Sequence, residues 1–555
     1  MAMHDDVPKA AESSRAALKL SIRPEQLEKT PPCQAGCPNS GDIRSWLGII
    51  AQHDKLGLTL EAAYDRAWAI VAERNPFPAT LGRICPHPCE SNCTRSDKDG
   101  PVAINALERF IGDWGLRRGL ILPTPGVQSR SETVGVIGAG PAGLSFAYQM
   151  ARRGYPVTVY ERDREPGGML RYDVPDFRLP EGVLAAEIER IVNIGIDLQL
   201  GTEVGCDVTL DQLRGRHDVL FIGMGAQHSR RLGIPGEDGP GVWPGLDYLR
   251  LRKLGNDVDV GGRIAVIGGG NTAIDAARMA RRAGADVTII YRRTRAEMPA
   301  IAEEIDDALT EGIEIEFLAA PVEIIRDGDA VRALSLQKME LGKPDQSGRR
   351  RPLPVAGSEE RVEFGAVIVA VSQELDRRAL GQVRTSHGQI ETDATGKLAS
   401  HVWAGGDDLG PGIAALATAQ GRQAAEAAHA ELLGLSVADG RPEEPVSPDQ
   451  IKAGYYEQQG PLDPPRRPKE EWLRRPDDEI DRTIDSEQAL QEATRCFSCG
   501  NCFGCQQCWM YCNAGSFLRL SQASPGNYFT LNMDACEGCG KCIEVCPSGF
   551  LSVRR

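Results

Sequence analysis

Fifteen of the chain's sixteen cysteines fall into two groups, one near each end, and that distribution constrains the fold more than any other feature. The first group is Cys33, Cys37, Cys85, Cys89 and Cys93. The second is Cys496, Cys499, Cys502, Cys505, Cys508, Cys512, Cys536, Cys539, Cys542 and Cys546. Only Cys206 stands apart, and it reads as a small structural residue. Disulfides are the bland explanation for so many thiols, but they persist only in oxidising compartments, and the spacing of these cysteines points elsewhere. Two runs carry a sharper signal: Cys502-x-x-Cys505-x-x-Cys508-x-x-x-Cys512, then Cys536-x-x-Cys539-x-x-Cys542-x-x-x-Cys546-Pro547. In the two-cluster bacterial ferredoxin pattern, three close cysteines wrap one 4Fe-4S cluster and the fourth ligates the other. That rule assigns Cys502, Cys505, Cys508 and Cys546 to one cluster, and Cys512, Cys536, Cys539 and Cys542 to the second. The first run departs in one respect, with Asn513 after Cys512 where proline is usual. An isolated Cys-x-x-Cys can bind zinc, but two complete four-cysteine runs in tandem favour iron–sulfur.

Between the cysteine groups lie two nucleotide fingerprints. Residues 133–137 read as a buried strand, and Gly138, Gly140 and Gly143 give the G-x-G-x-x-G turn that lets a backbone approach a pyrophosphate at a helix N-terminus. A second strand, 157–160, ends at Glu161, where a carboxylate suits a ribose hydroxyl pair, so the first site should hold FAD. The second copy has strand 264–267, then Gly268, Gly270 and Ala273, and strand 287–290. There the acid's position is taken by Tyr291, with Arg292 and Arg293 following. Cations in place of a carboxylate suit a 2′-phosphate, hence NADP(H). A solvated arginine pair with NAD(H) bound is the competing reading. A strand over 401–407 ends at Asp407, where an acid can bond the flavin's ribityl or pyrophosphate region; an ordinary helix cap is the alternative.

Composition narrows the class. At 555 residues, three or four domains are expected, and 41% apolar content supports several cores. The net charge of −15 argues against nucleic acid. The first thirty residues carry no apolar signal core, and the longest apolar runs suit buried strands, so a cytoplasmic location without membrane insertion is expected. The chain divides into a helical cysteine-bearing part (1–125), an α/β part (126–435), a proline- and charge-rich extended linker (436–485) and a cysteine-dense module (486–555).

Residues 31–435, about three quarters of the chain, resemble the small flavin-bearing subunit of NADPH-dependent glutamate synthase and the matching half of dihydropyrimidine dehydrogenase. The resemblance rests on PPCQAGCP (31–38), RICPHPCESNC (83–93), GPVAINALE (100–108), VIGAGPAGL (136–144), PGGMLRYDVPDFRLP (166–180), VIGGGNTAIDAA (266–277), YRRTRAEMPA (291–300) and AGGDDLGPG (404–412). It implies an FAD domain over 126–255 and 372–435, an NAD(P) domain over 256–371 inserted within it, a helical iron–sulfur domain before both, and here an α+β ferredoxin-like module after them. It adds Gly168, Met169 and Gly406 to the flavin residues, and Asn271 and Thr272 to the NADP residues. Ser372 departs from the family, which usually has glycine there.

The resemblance also implies two clusters in the helical domain, fed by an arginine–cysteine–x–x–cysteine segment upstream of PPCQAGCP. That segment is missing here, and a similar one, EATRCFSCG (492–500), sits beside the ferredoxin module. The expectation is therefore a fold-back. Cys33, Cys93, Cys496 and Cys499 would hold a third cluster, and Cys37, Cys85, Cys89 and Glu108 a fourth. The competing readings leave Cys496 and Cys499 free and make Glu108 a surface ion-pair residue. With no catalytic acid or base required, the chain reads as an electron-transfer flavoprotein subunit joining NADP(H), FAD and four 4Fe-4S clusters to a redox partner. A 2-oxoacid:ferredoxin oxidoreductase is the first candidate partner. The alternatives are a stand-alone NAD(P)H:ferredoxin reductase, and an electron-input subunit for a glutamate synthase, sulfite-reducing or iron-reducing complex.

Overall fold

The computed structural model describes residues 22–124, 126–256, 258, 262–345, 348–381, 383–435 and 445–554. The parts of the helical domain and linker at 1–21 and 436–444 lie outside them. From Ile43 to Arg118 the chain is helical. Asp42 caps Ile43–Ala51 through Ser45 N, and Thr59 caps Leu60–Arg74 through Ala62 N. Helices Pro78–Ile84 and Ile104–Arg118 touch backbone to backbone: a Cβ on Gly82 would lie 2.3 Å from Arg109 N, and one on Gly112 2.2 Å from Ala79 N. Tyr64 packs edge-on to Phe110 and Trp114 on the same core.

The first α/β unit is a six-stranded sheet in the order Lys397–Ala399, Val402–Ala404, Val219–Ile222, Val134–Ile137, Val157–Glu161, Asp197–Leu200. Every neighbouring pair is parallel except the Lys397–Ala399 edge. Its central strands are apolar and buried at every position, the pattern of a sheet covered on both faces. Helices Pro141–Ala151 and Ala414–Leu432 pack against each other; a Cβ on Gly421 would sit 2.1 Å from Ala142 O. The chain leaves this sheet after Ile222 and returns at Lys397. Between, it builds a five-stranded parallel sheet in the order Glu314–Phe317, Asp286–Tyr291, Arg263–Ile267, Ala366–Val369, Val242–Pro244. An antiparallel sheet of Ala319–Asp327, Ala330–Pro344, Arg350–Pro354 and Glu360–Glu363 covers one face of it through Ile324, Val331, Leu334 and Leu336. Strand–helix alternation did not foretell this layer, whose strands follow one another without intervening helices.

Residues 445–485 form a strap with little regular structure that is nonetheless packed along its course. Trp472, Ile480 and Ile484 are buried, and Trp472 and Ile480 cluster with Phe177 of the first α/β unit. Arg466 pairs with Asp307 of the second unit at 2.6 Å, and Glu479 with Arg83 of the helical domain at 2.7 Å. The chain then returns to the helical domain. Asp485 caps helix Ser486–Thr494, which lies against Ile43–Ala51, and Tyr64 Oη donates to Ser486 O at 2.7 Å. The C-terminal module contains the hairpin Phe517–Ser524/Asn527–Leu531. Its last strand, Leu551–Val553, pairs antiparallel with Pro24–Gln26, so the two ends of the described chain share one ladder. Among the described residues, no helix is long and apolar enough to cross a membrane.

Candidate functional site

The fingerprint turn after Val134–Ile137 is built on close backbone approach. A Cβ on Gly138 (φ +93°) would lie 2.3 Å from Gly223 O, and one on Gly143 1.9 Å from Gly138 O, so neither position tolerates a side chain. Gly140 differs: a Cβ there would meet nothing within 4 Å. Its bareness serves the space beyond it, at the N-terminus of Pro141–Ala151. That space is one continuous cavity whose wall includes Gly138, Gly140, Glu161, Gly168, Met169, Gly406 and Asp407; Gly143 is buried behind the turn and does not line it. Glu161 is buried and accepts hydrogen bonds from Ala139 N (2.7 Å) and Asp163 N (2.9 Å), while burial pushes its carboxyl up. A carboxylate has further lone pairs free for a hydroxyl donor. Asp407 accepts from Gly412 N at 3.1 Å, and burial raises its carboxyl likewise. A bare glycine backbone, a helix N-terminus and two acids on one wall fit a dinucleotide.

Asn271 and Thr272 lie on the same wall, so the cavity joins the two α/β units. Asn271 Oδ1 accepts from Ile301 N at 3.0 Å, and Thr272 Oγ1 from Gln373 Nε2 at 3.3 Å. Gly268, Gly270 and Ala273 make the second turn away from this wall; a Cβ on Gly270 would meet only Pro299, at 3.9 Å. The arginine pair is split. Arg293 is buried and bound to Asp345 (2.8 Å) and Arg350 O (2.8 Å), whereas Arg292 is exposed beside further cationic charge from Arg293 and Arg349. Sequence reasoning missed the bridge across the cavity: Arg178 binds both oxygens of Asp275 (2.9 and 2.7 Å) and Glu304 at 2.8 Å. Ile84 and Pro86, on either side of Cys85, also line the cavity and bring the helical domain to its edge.

The cysteines gather into four sets. The Cys33 thiol is raised by burial and then by Cys496, Cys499 and Cys93 around it. Cys37, Cys85 and Cys89 share a second pocket with Glu108; burial and these neighbours push Cys85 up to about 12, and burial pushes Glu108 up to about 7. Glu108 is half-buried, accepts from Asn75 Nδ2 at 2.9 Å and has no ion-pair partner among the described residues, which speaks against a surface ion-pair role. Cys502, Cys505, Cys508 and Cys546 form the third set, and Cys542 sits with Cys539, Cys536 and Cys512 in the fourth. None of the sixteen cysteines is paired in a disulfide. Buried thiols that raise one another's pKa are poor neighbours as thiolates unless positive charge sits between them.

Among the described residues, no three His, Cys, Asp or Glu side chains converge tightly enough to hold a single metal ion. A lone zinc needs sulfurs at about 2.3 Å. The Cys502 set instead rings a cavity shared with Phe517, Phe529 and Phe550, which suits a multi-iron cluster better than one ion.

The fold-back is locked by charge. Arg495, fully enclosed, donates to Pro101 O and Gly100 O (2.8 Å each), to Gln459 O (3.0 Å), and pairs with Glu492 and Asp99. Arg44 donates to Cys499 O at 2.9 Å, and Glu492 accepts from Ala103 N at 2.8 Å.

Comparison with known proteins agrees with this layout. Residues 132–422 match the pyridine nucleotide-disulphide oxidoreductase family, 7–120 the 4Fe-4S domain II of dihydropyrimidine dehydrogenase, and 501–550 a 4Fe-4S dicluster domain. The chain is 39% identical over 451 residues to the NADP(+)-dependent formate dehydrogenase subunit beta of Moorella thermoacetica, covering 76% of this chain and 62% of that one. It is 38% identical over 354 residues to the NADPH-Fe(3+) oxidoreductase subunit beta of Geobacter sulfurreducens, covering 62% of this chain and 51% of that one. It therefore spans only half to three fifths of the length of these two relatives. It is 35% identical over 425 residues to the glutamate synthase [NADPH] small chain of Escherichia coli, covering 71% of this chain and 87% of that one. A solved structure of FprA from Mycobacterium tuberculosis shares the fold, with a TM-score of 0.50 and 17% identity over 66% of this chain and all of that one. The chain belongs to the pyridine nucleotide-disulphide oxidoreductase family, in a form like the glutamate synthase small chain, with a dihydropyrimidine-dehydrogenase-type 4Fe-4S domain before it and a 4Fe-4S ferredoxin domain after it.

Proposed function

We propose that the protein is an electron-transfer subunit that converts between the electron pair of NADP(H) and single electrons carried by four 4Fe-4S clusters. FAD supplies the step between hydride and single electrons. Gly138, Gly140, Gly143, Glu161, Gly168, Met169, Gly406 and Asp407 hold it. Gly268, Gly270, Asn271, Thr272, Ala273 and Arg292 hold the pyridine nucleotide, with Arg293 setting the site's charge from behind.

Continuity is the observation that carries the reading. The cavity reaches Ile84 and Pro86 on either side of Cys85. From there each cysteine set shares a short stretch of chain with the next: Cys33 with Cys37, Cys89 with Cys93, Cys499 with Cys502, Cys508 with Cys512. Three or four residues span at most about 10 to 14 Å. The order is then the Cys37 set, the Cys33 set, the Cys502 set and the Cys512 set. In the last, Cys539 is exposed, which marks the end that meets a partner. The relatives' names support a subunit role. A 2-oxoacid oxidoreductase, a formate-oxidising enzyme and a diffusible ferredoxin are the partner classes this end would serve.

Anaerobic mixing with NADPH tests the reading. The flavin absorbance should bleach first and cluster signals should follow, with NADH acting more weakly. A flavin that NADPH leaves oxidised contradicts it.

A further inference from the structure

One carboxyl on the cavity wall has no part in the reading above. Asp173 follows the short helix Met169–Tyr172 and lines the cavity where the two α/β units meet, together with Arg178, Thr272 and Asp275. It is half-buried, and its carboxyl receives no hydrogen bond or ion pair from the described residues. The charged groups facing it come from three elements. Arg250 and Asp247 belong to helix Gly245–Lys253, Asp163 follows strand Val157–Glu161, and Asp275 lies on helix Asn271–Arg282. Arg250 is already engaged by Asp163, and Asp275 by Arg178. Burial, opposed by Arg250 and reinforced by the three acids, pushes the Asp173 carboxyl up to about 8.

The proposed reaction has a proton in its balance. A hydride is two electrons and one proton. When NADPH is oxidised and both electrons leave through clusters, which carry no proton, one proton must leave the cavity. When NADP+ is reduced by two single electrons, one proton must enter. We propose that Asp173 holds this proton, giving it up when NADP+ is reduced and taking it back when NADPH is oxidised. The assignment rests on the function proposed above. Its half-exposed position lets solvent restore its protonation between turnovers, and an acid with a pKa near the working pH serves both directions.

The test uses the full chain with its cofactors, prepared without oxygen. Spectroelectrochemistry gives the flavin midpoint potential across the neutral and mildly alkaline range. In the unaltered protein the potential should change slope near pH 8. The break should vanish in Asp173→Asn, which keeps the shape of the side chain but carries no titratable proton, and return in Asp173→Glu. NADP+ reduction driven by reduced methyl viologen should fall roughly 100-fold or more in Asp173→Asn, with KM for NADP+ unchanged. A slope break and rate in Asp173→Asn equal to those of the unaltered protein overturn the assignment, as does a change confined to KM. Should NADPH leave the unaltered flavin oxidised, the underlying function fails instead, so the two failures are distinct.

Discussion

Arg495 shows how much a single side chain carries. Its guanidinium, closed off from solvent, serves three backbone carbonyls and two carboxylates immediately before Cys496. Removing one partner of such a network leaves charges buried and unpaired, at a cost of about 3–5 kcal/mol. Arg495→Ala should therefore lower the denaturation midpoint and, since it frees the Cys496–Cys499 loop, reduce the iron bound per chain. Glu187 is a second enclosed carboxylate, capping the N-terminus of Pro78–Ile84 by accepting from Ala79 N (2.7 Å) and Thr80 N (2.9 Å). Burial pushes it up to about 7 from an ordinary 4.5. Because the folded value is the higher, this group's stabilisation is complete below about pH 4.5 and declines as pH rises through 7. Glu187→Gln should flatten that decline in melting temperature measured against pH. Arg292 is the exposed member of its pair, and Arg292→Ala should raise KM for NADPH about tenfold, or ~1.4 kcal/mol, while leaving KM for NADH unchanged. An equal effect on both nucleotides would remove the 2′-phosphate role.

At the scale of elements, the strap is the part that ties the molecule together. Arg282 donates to Pro476 O at 2.6 Å, Ile480 N to Phe177 O at 3.1 Å, and Arg109 to Asp481 O at 2.7 Å, so one irregular segment contacts both α/β units and the helical domain. Trp472→Ala should cost about 3–5 kcal/mol, with hydrogen exchange accelerated across 465–482 and the sheets protected as before. Localised acceleration elsewhere would contradict the clamp. Little of this was legible in the sequence, because prolines and charges announce only that regular structure stops, and the contacts join residues hundreds of positions apart. The antiparallel layer from Ala319 to Glu363 escaped for a related reason: it breaks the strand–helix alternation that marks the sheets around it. The glycine turns and the two four-cysteine runs were legible because their chemistry is local in the chain. The place of Cys496 and Cys499 beside Cys33 was legible through the family resemblance, because the segment missing before Cys33 reappears as EATRCFSCG (492–500) and leaves two thiols surplus to the ferredoxin runs. The Arg178–Asp275 bridge and the Asp173 carboxyl left no local signature, since both arise where two separately patterned units meet.

For the whole molecule, the proposed function puts the cavity shared by the two α/β units at one end of a line of cysteine sets and the exposed Cys539 at the other. Pro24–Gln26 and Leu551–Val553, near the two ends of the described residues, share one ladder, so the ferredoxin module is part of the body rather than a tethered appendage. That architecture predicts a fixed path from cavity to surface, and a net charge of −15 is compatible with a partner that docks through a basic patch. The most direct measurement is iron, sulfide and flavin content of protein purified without oxygen, with Cys496→Ser/Cys499→Ser alongside. The account predicts about sixteen irons and one FAD per chain, falling to about twelve irons in the double variant. About eight irons in the unaltered protein, or no loss in the variant, would contradict it.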